Sequence, residues 1–140
     1  MKNIIRLIII TMIFLNSSCK SIKMVKTTND MFLLKEKESE FINKPLKKLL
    51  KEIEPKIKTG VGNNEAGHFY FYFKFISLEE RLKNLGKYDD KVSLFVYVKE
   101  PIDWVWDKRP KGNEQIWTKE DAKKYGNLIV TRIKVINQPK

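Results

Sequence analysis

His68-Phe69-Tyr70-Phe71-Tyr72-Phe73-Lys74-Phe75-Ile76 alternates without a break. In an extended chain successive side chains point to opposite faces. Phe69, Phe71, Phe73 and Phe75 therefore share one side, and His68, Tyr70, Tyr72, Lys74 and Ile76 the other. The pattern predicts a strand with one fully aromatic face. Such a face needs a covering layer, because burying one aromatic side chain is worth about 1.5–3 kcal/mol.

Downstream, Ser77-Leu78-Glu79-Glu80 has the spacing of a capping box, and it opens a short helix that Gly86 closes. Val92, Leu94, Val96 and Val98 predict a second strand, with Phe95 and Tyr97 pointing the other way and Pro101 as its stop. An irregular stretch carries Trp104 and Trp106 through Pro110 and Gly112. Thr118-Lys119-Glu120-Asp121 then starts another short helix, ended by Gly126, and Leu128 to Ile136 reads as the last strand.

Upstream, Asn29 or Asp30 can cap a helical region with Phe32, Leu33, Phe41 and Ile42 on its apolar face. Pro45 suits a restarted first turn. Ile42, Leu46, Leu49, Leu50, Ile53 and Ile57 continue as an amphipathic stripe that Pro55 bends or ends. Gly60-Val61-Gly62-Asn63-Asn64 reads as a turn-rich loop. The expected fold is α+β: a small single domain over residues 30–140, with one three- to four-stranded sheet. An amphipathic helix packs on one face of it, beside two short helices.

The first residues have a different character. Lys2 and Arg6 precede an apolar run from Leu7 to Leu15, and Asn16-Ser17-Ser18 leads to Cys19, the one cysteine of the chain. A charged start, a short apolar core and small exit residues form the layout of a secretory signal. The run is shorter than the roughly 20 apolar residues a membrane-spanning helix needs. Asn16-Ser17-Ser18-Cys19 resembles the lipobox of bacterial lipoproteins, although Leu15 stands one step further from the cysteine than in the family pattern. The resemblance covers residues 1–20. It implies cleavage by signal peptidase II, so residues 1–18 are a leader and Cys19 is lipidated. Lys20 in place of Asp implies the outer membrane, facing the periplasm. Stable anchoring takes more than one acyl chain, which a triacylated cysteine supplies. Residues 19–29, polar, basic and without periodicity, read as the tether.

The 140-residue chain carries a net charge of +11, with lysine throughout. For an exported protein this points to anionic lipid, an anionic glycan or an acidic protein; nucleic acid is not an expected partner. No second cysteine exists to form an intramolecular disulfide.

The chain holds no GxSxG, no HExxH and no phosphate-cradling glycine loop. His68 is the only histidine, so no metal or cofactor is expected. Glu79-Glu80 and Asp89-Asp90 are adjacent acids whose side chains diverge, which suits a solvated surface better than a paired active site. Lys44, Lys47, Lys48 and Lys51 recur opposite the apolar stripe, either as a solvated helix face or as a surface for anionic headgroups. Trp104 and Trp106 would share a side of an extended chain, with Arg109 and Trp117 near. Trp beside Arg fits a partner-binding loop over residues 101–117, and core packing of at least one Trp is the competing use.

The expectation is a lipid-anchored, non-catalytic binding protein of the cell envelope. Two alternatives are an immunity-type lipoprotein that neutralises a periplasmic toxin and a small periplasmic hydrolase with dispersed carboxylates.

Overall fold

In the computed structural model, which describes residues 21–137, four strands pair in chain order, each antiparallel to the next. They are β1 (Thr59–Glu65), β2 (His68–Lys74), β3 (Ser93–Val98) and β4 (Val130–Ile136). Four short helices accompany them: α1 (Phe32–Glu36), α2 (Leu46–Lys51), α3 (Leu78–Leu82) and α4 (Lys119–Tyr125). The chain is α+β, as its periodicities predict.

The β2 alternation sets the two faces of the sheet. Phe71 opposes Val96 and Phe73 opposes Leu94, and Val96 and Leu94 in turn oppose Ile133 and Val135. Phe71, Phe73, Leu94, Val96 and Ile133 are fully buried. Leu46 and Leu49 of α2 and Tyr125 of α4 close the core over this inner face. The anticipated capping box at Ser77 forms, and the expected helix start at Thr118 proves to be a second one. The Glu80 N–H donates to Ser77 Oγ while Ser77 N–H donates to Glu80 Oε2. That backbone bond, with help from Lys58, holds the Glu80 carboxyl at about 2. Thr118 and Asp121 repeat the arrangement at the start of α4.

Three expectations are corrected. The helical region over Asn29–Ile57 is not one long helix but two short ones with 3-10 turns at Thr28–Met31 and Glu38–Glu40. Its backbone is diverted to the sheet. Asn43 takes φ +61° and donates to the Val130 carbonyl, Leu46 donates to Leu128, and Val130 donates to Lys44. The position before Pro45 disfavours helix, and tertiary pairing takes over there. Of the residues expected to face inward, Phe41, Leu46, Leu49 and Ile53 are buried, whereas Phe32 is 48% exposed and Met31 and Leu34 enter the core in its stead.

The second correction is at Gly60-Val61-Gly62-Asn63-Asn64, which is strand β1 and not a loop. Gly60 and Gly62 sit on the inner face opposite Phe73 and Phe71. A Cβ on Gly60 would stand 2.6 Å from Trp117 Cε3, and one on Gly62 2.6 Å from Ile102 Cγ2. These glycines are strand residues over which other side chains lie, not turn signals. The turn itself is Ala66-Gly67, both at positive φ (+48° and +78°), as a two-residue hairpin demands.

The third concerns residues 19–29, read as a solvated tether. Val25 is fully buried. It donates to the Glu52 carbonyl, accepts from Glu54 N–H and bridges Ile53 in parallel. The packed body thus begins before residue 30.

The sheet edges are blunted. Along β1, Gly60 N–H donates to the Gln115 carbonyl, and the Asn64 amide both accepts from Ile102 N–H and donates to the Ile102 carbonyl. Along β4, the Lys44 and Asn43 backbone pairs with Val130, and Glu38 accepts from Ile133 N–H at 2.6 Å.

Candidate functional site

The 101–117 segment sends its three aromatic anchors in different directions. Trp104 and Trp117 turn inward and stack, with ring centroids 6.4 Å apart and planes 5° from parallel. They lie in the trough left by Gly60 and Gly62. Trp117 is 9% exposed and meets Phe73 edge-on at 4.8 Å. Trp104 is half-buried, and its indole N–H finds no acceptor among the described residues. Arg109 covers its ring, with the guanidinium carbon 3.8 Å from the centroid.

Every Arg109 nitrogen is spoken for. Nε donates to the Glu114 carbonyl, Nη2 to the Ile116 carbonyl, and Nη1 and Nη2 form a two-pronged pair with Asp121 at 2.9 Å. Burial raises the Asp121 carboxyl, but the bonds from Arg109 and Thr118 outweigh it and hold the group below its ordinary value. The Asp121 pair pushes Arg109 up in turn. Trp104, Arg109 and Trp117 of the sequence-based site therefore form a folded staple that fixes the loop on the inner side of β1.

Trp106 parts from them at a 3-10 turn, Trp106–Lys108, and stays 45% exposed. It borders a cleft of about 330 Å³ on the other side of the sheet, with Tyr70, Tyr72 and Phe95 as floor and Arg81 and Gln115 on the rim. One end of this outer face, at Lys74 and Ser93, is buried, and Arg81 of α3 reaches the cleft, while Tyr70, Tyr72, Phe95 and Tyr97 along the rest are half-buried. Its strand positions carry His68, Tyr70 and Tyr72 from β2, Phe95 and Tyr97 from β3, and Arg132 and Lys134 from β4. The rings form a continuous ladder. Tyr72 to Phe95 is 5.0 Å, Phe95 to Tyr70 is 6.0 Å, Tyr70 to Tyr97 is 5.2 Å, and His68 stands edge-on to Tyr97 at 6.5 Å. Arg132 lies 5.4 Å over the Tyr97 ring and Lys134 5.9 Å over Phe95. Burial and the Glu65 carboxylate, which accepts from its hydroxyl at 3.0 Å, raise the Tyr70 phenol. Tyr70 is therefore a neutral phenol at ordinary pH. The face offers π surfaces, hydroxyls and a cationic border.

The ladder was only half legible in the sequence. Tyr70, Tyr72, Phe95 and Tyr97 are readable as outward-facing, but the readable signal that they matter is that both faces of β2 are aromatic. A sheet fully covered on one side leaves the second aromatic face half-buried.

Lys44, Lys47, Lys48 and Lys51 are exposed on and before α2, away from the outer sheet face. Lys48 Nζ donates to the Glu40 carbonyl. The adjacent acids serve local structure: Glu79 pairs with Lys83, while Asp89 and Asp90 accept from Asn29 and Thr28. Among the described residues no group of three or more His, Cys, Asp or Glu could hold a metal ion. Cys19 lies outside the described residues. Comparison with protein families, with characterised proteins and with solved structures returns no match for this chain.

Proposed function

We propose that this chain is a non-catalytic, lipid-anchored binding domain of the bacterial cell envelope, held by Cys19 at the outer membrane and facing the periplasm. Its recognition surface is the outer face of the sheet, and its partner is an acidic protein surface. The observation that carries the reading is the half-buried ladder Tyr72–Phe95–Tyr70–Tyr97 with Arg81, Arg132, Lys134 and Trp106 around it. Burying such rings fully on folding would have been favourable, yet they stay partly exposed. Tyr, Trp and Arg are the residues that dominate binding hot spots, because they bring large contact area at little entropy cost. The border charges favour a negatively charged partner and speed its arrival. The lipobox-like Asn16-Ser17-Ser18-Cys19 supports a lipidated Cys19 as the route to the bilayer.

Photo-crosslinking in the producing cell tests this. A photoreactive residue at Tyr97 or Trp106 is expected to give one protease-sensitive adduct, lost when Tyr72→Ala and Phe95→Ala are combined. The same adduct from exposed Ser39, or none from either sheet position, would sink the assignment of the face. Cys19→Ser is expected to abolish acyl label and to make the protein extractable from the membrane fraction by high salt; acyl label in that variant would overturn the anchor.

A further inference from the structure

We propose that the helical side of the domain docks on anionic phospholipid headgroups of the bilayer that holds the protein, so that the aromatic sheet face is turned away from that bilayer. The proposal rests on the anchored reading for the bilayer being within reach, and on three independent features for the docking itself.

The first is a groove of about 650 Å³ between the chain leaving α2 and the side of α4. Ile53, Ile57 and Ala122 contribute apolar lining, and Lys23, Lys56 and Lys119 stand among its residues against one carboxylate, Glu54. Apolar lining with ammonium groups at the margin is the chemistry of a phospholipid's glycerol and headgroup region, where lysine stems pack against apolar surface while their charge reaches outward. The second is charge on the same layer. Lys47 and Lys51 of α2 and Lys123 of α4 are exposed, and among the described residues none of the six lysines named here forms an ion pair.

The third is where the chain enters. Val25 is fixed by backbone bonds to Glu52 and Glu54, directly beside the groove. Cys19 is then six residues from a fixed point, a reach of at most about 20 Å. Ile22, 80% exposed, and Lys23 lie on that path. A lipid on Cys19 cannot hold the groove far from the bilayer. The helices carrying the lysines cover the inner face of the sheet, so the opposite face looks away from the membrane.

The test uses the mature chain from residue 19 with Cys19→Ser, which has neither leader nor acyl attachment point, mixed at low salt with sedimentable vesicles. The vesicles are of phosphatidylcholine alone or of phosphatidylcholine with phosphatidylglycerol. A preference for the phosphatidylglycerol vesicles is expected. It should fall about fivefold for each of Lys23→Gln, Lys56→Gln and Lys119→Gln, since a lysine near an anionic surface is worth about 1 kcal/mol. Arg132→Gln with Lys134→Gln, on the outer face, should leave the preference unchanged. Equal binding to both vesicles overturns the proposal, and so does an equal loss from the sheet-face pair, which would reduce the effect to unspecific attraction. Acyl labelling of the wild type separates the two readings. A labelled protein whose Cys19→Ser variant shows no preference refutes the docking alone. An unlabelled protein with the preference refutes the anchor alone.

Discussion

The two faces of β2 are built from the same kind of side chain and meet opposite fates. Phe71 and Phe73 are sealed under Trp117, Tyr125, Leu46 and Leu49. Tyr70 and Tyr72, one residue away along the same strand, lie in an open ladder with Phe95 and Tyr97. The difference is one hydroxyl per ring and an outer cover that seals only the Lys74 and Ser93 end of the face. The hydroxyl lets a large ring sit at a wet surface with its polar end satisfied, as Tyr70 does on Glu65. Phenylalanine on one side and tyrosine on the other therefore encode which face is core and which is presented.

The sharpest way to break this contrast is to delete one ring from each face. Phe71→Ala should destabilise the domain by about 3–5 kcal/mol, the usual loss for a buried aromatic ring. Tyr72→Ala should cost less than about 1 kcal/mol, as surface substitutions do. Urea unfolding measures both. Comparable losses would mean that the outer face is packed within the domain and not free for a partner.

Arg109 tests the same division within the 101–117 loop. Arg109→Ala leaves Asp121, its side chain 10% exposed, without its partner. Removing one member of a buried pair costs about 3 kcal/mol or more. Trp106→Ala, on the presented side, should leave the melting temperature nearly unchanged. The pair also sets an acid limit. The folded Asp121 carboxyl lies below its ordinary value of 3.8, so the unfolded chain takes up the proton first as pH falls. Its stabilisation is complete above about pH 5 and is lost as pH drops through the folded value. Melting temperatures followed downward from pH 5 should fall, and less so in Asp121→Asn, which starts from a lower plateau.

Gly60→Ala should cost less than the Phe71 and Arg109 deletions, about 1–3 kcal/mol for overpacking, since its Cβ would meet Trp117 at 2.6 Å. Combining it with Trp117→Phe should recover part of the loss, a non-additivity that a double-mutant cycle reads directly. Additive losses would show that the tryptophan does not press on β1.

How much the sequence reveals depends on how local the cause is. The β2 alternation and the Ser77 and Thr118 capping boxes are written within three to nine residues, and all of them form. Gly60 and Gly62 look like a loop because their reason for being glycine stands elsewhere, at Trp117 and at Ile102 with Trp104. The stripe from Ile42 to Ile57 has helical spacing, yet the pairing of residues 43–46 with residues 128–130 decides its path. Trp104 and Trp106 are two residues apart and would share a side of an extended strand. Nothing local signals that the 3-10 turn beginning at Trp106 separates them.

The Asn64 side chain, gripping both backbone groups of Ile102, does more than tidy one end of β1. It occupies the place where a foreign strand would start to zip on, and Glu38 does the same at Ile133. Molecules crowded side by side on a surface meet constantly, and open sheet margins would turn those meetings into irreversible stacking. With both margins plugged, a visitor cannot be recognised by backbone alone, which any sequence could offer. On the proposed binding role, a partner approaches broadside and fits the tyrosines, so discrimination between visitors falls to side-chain shape and charge.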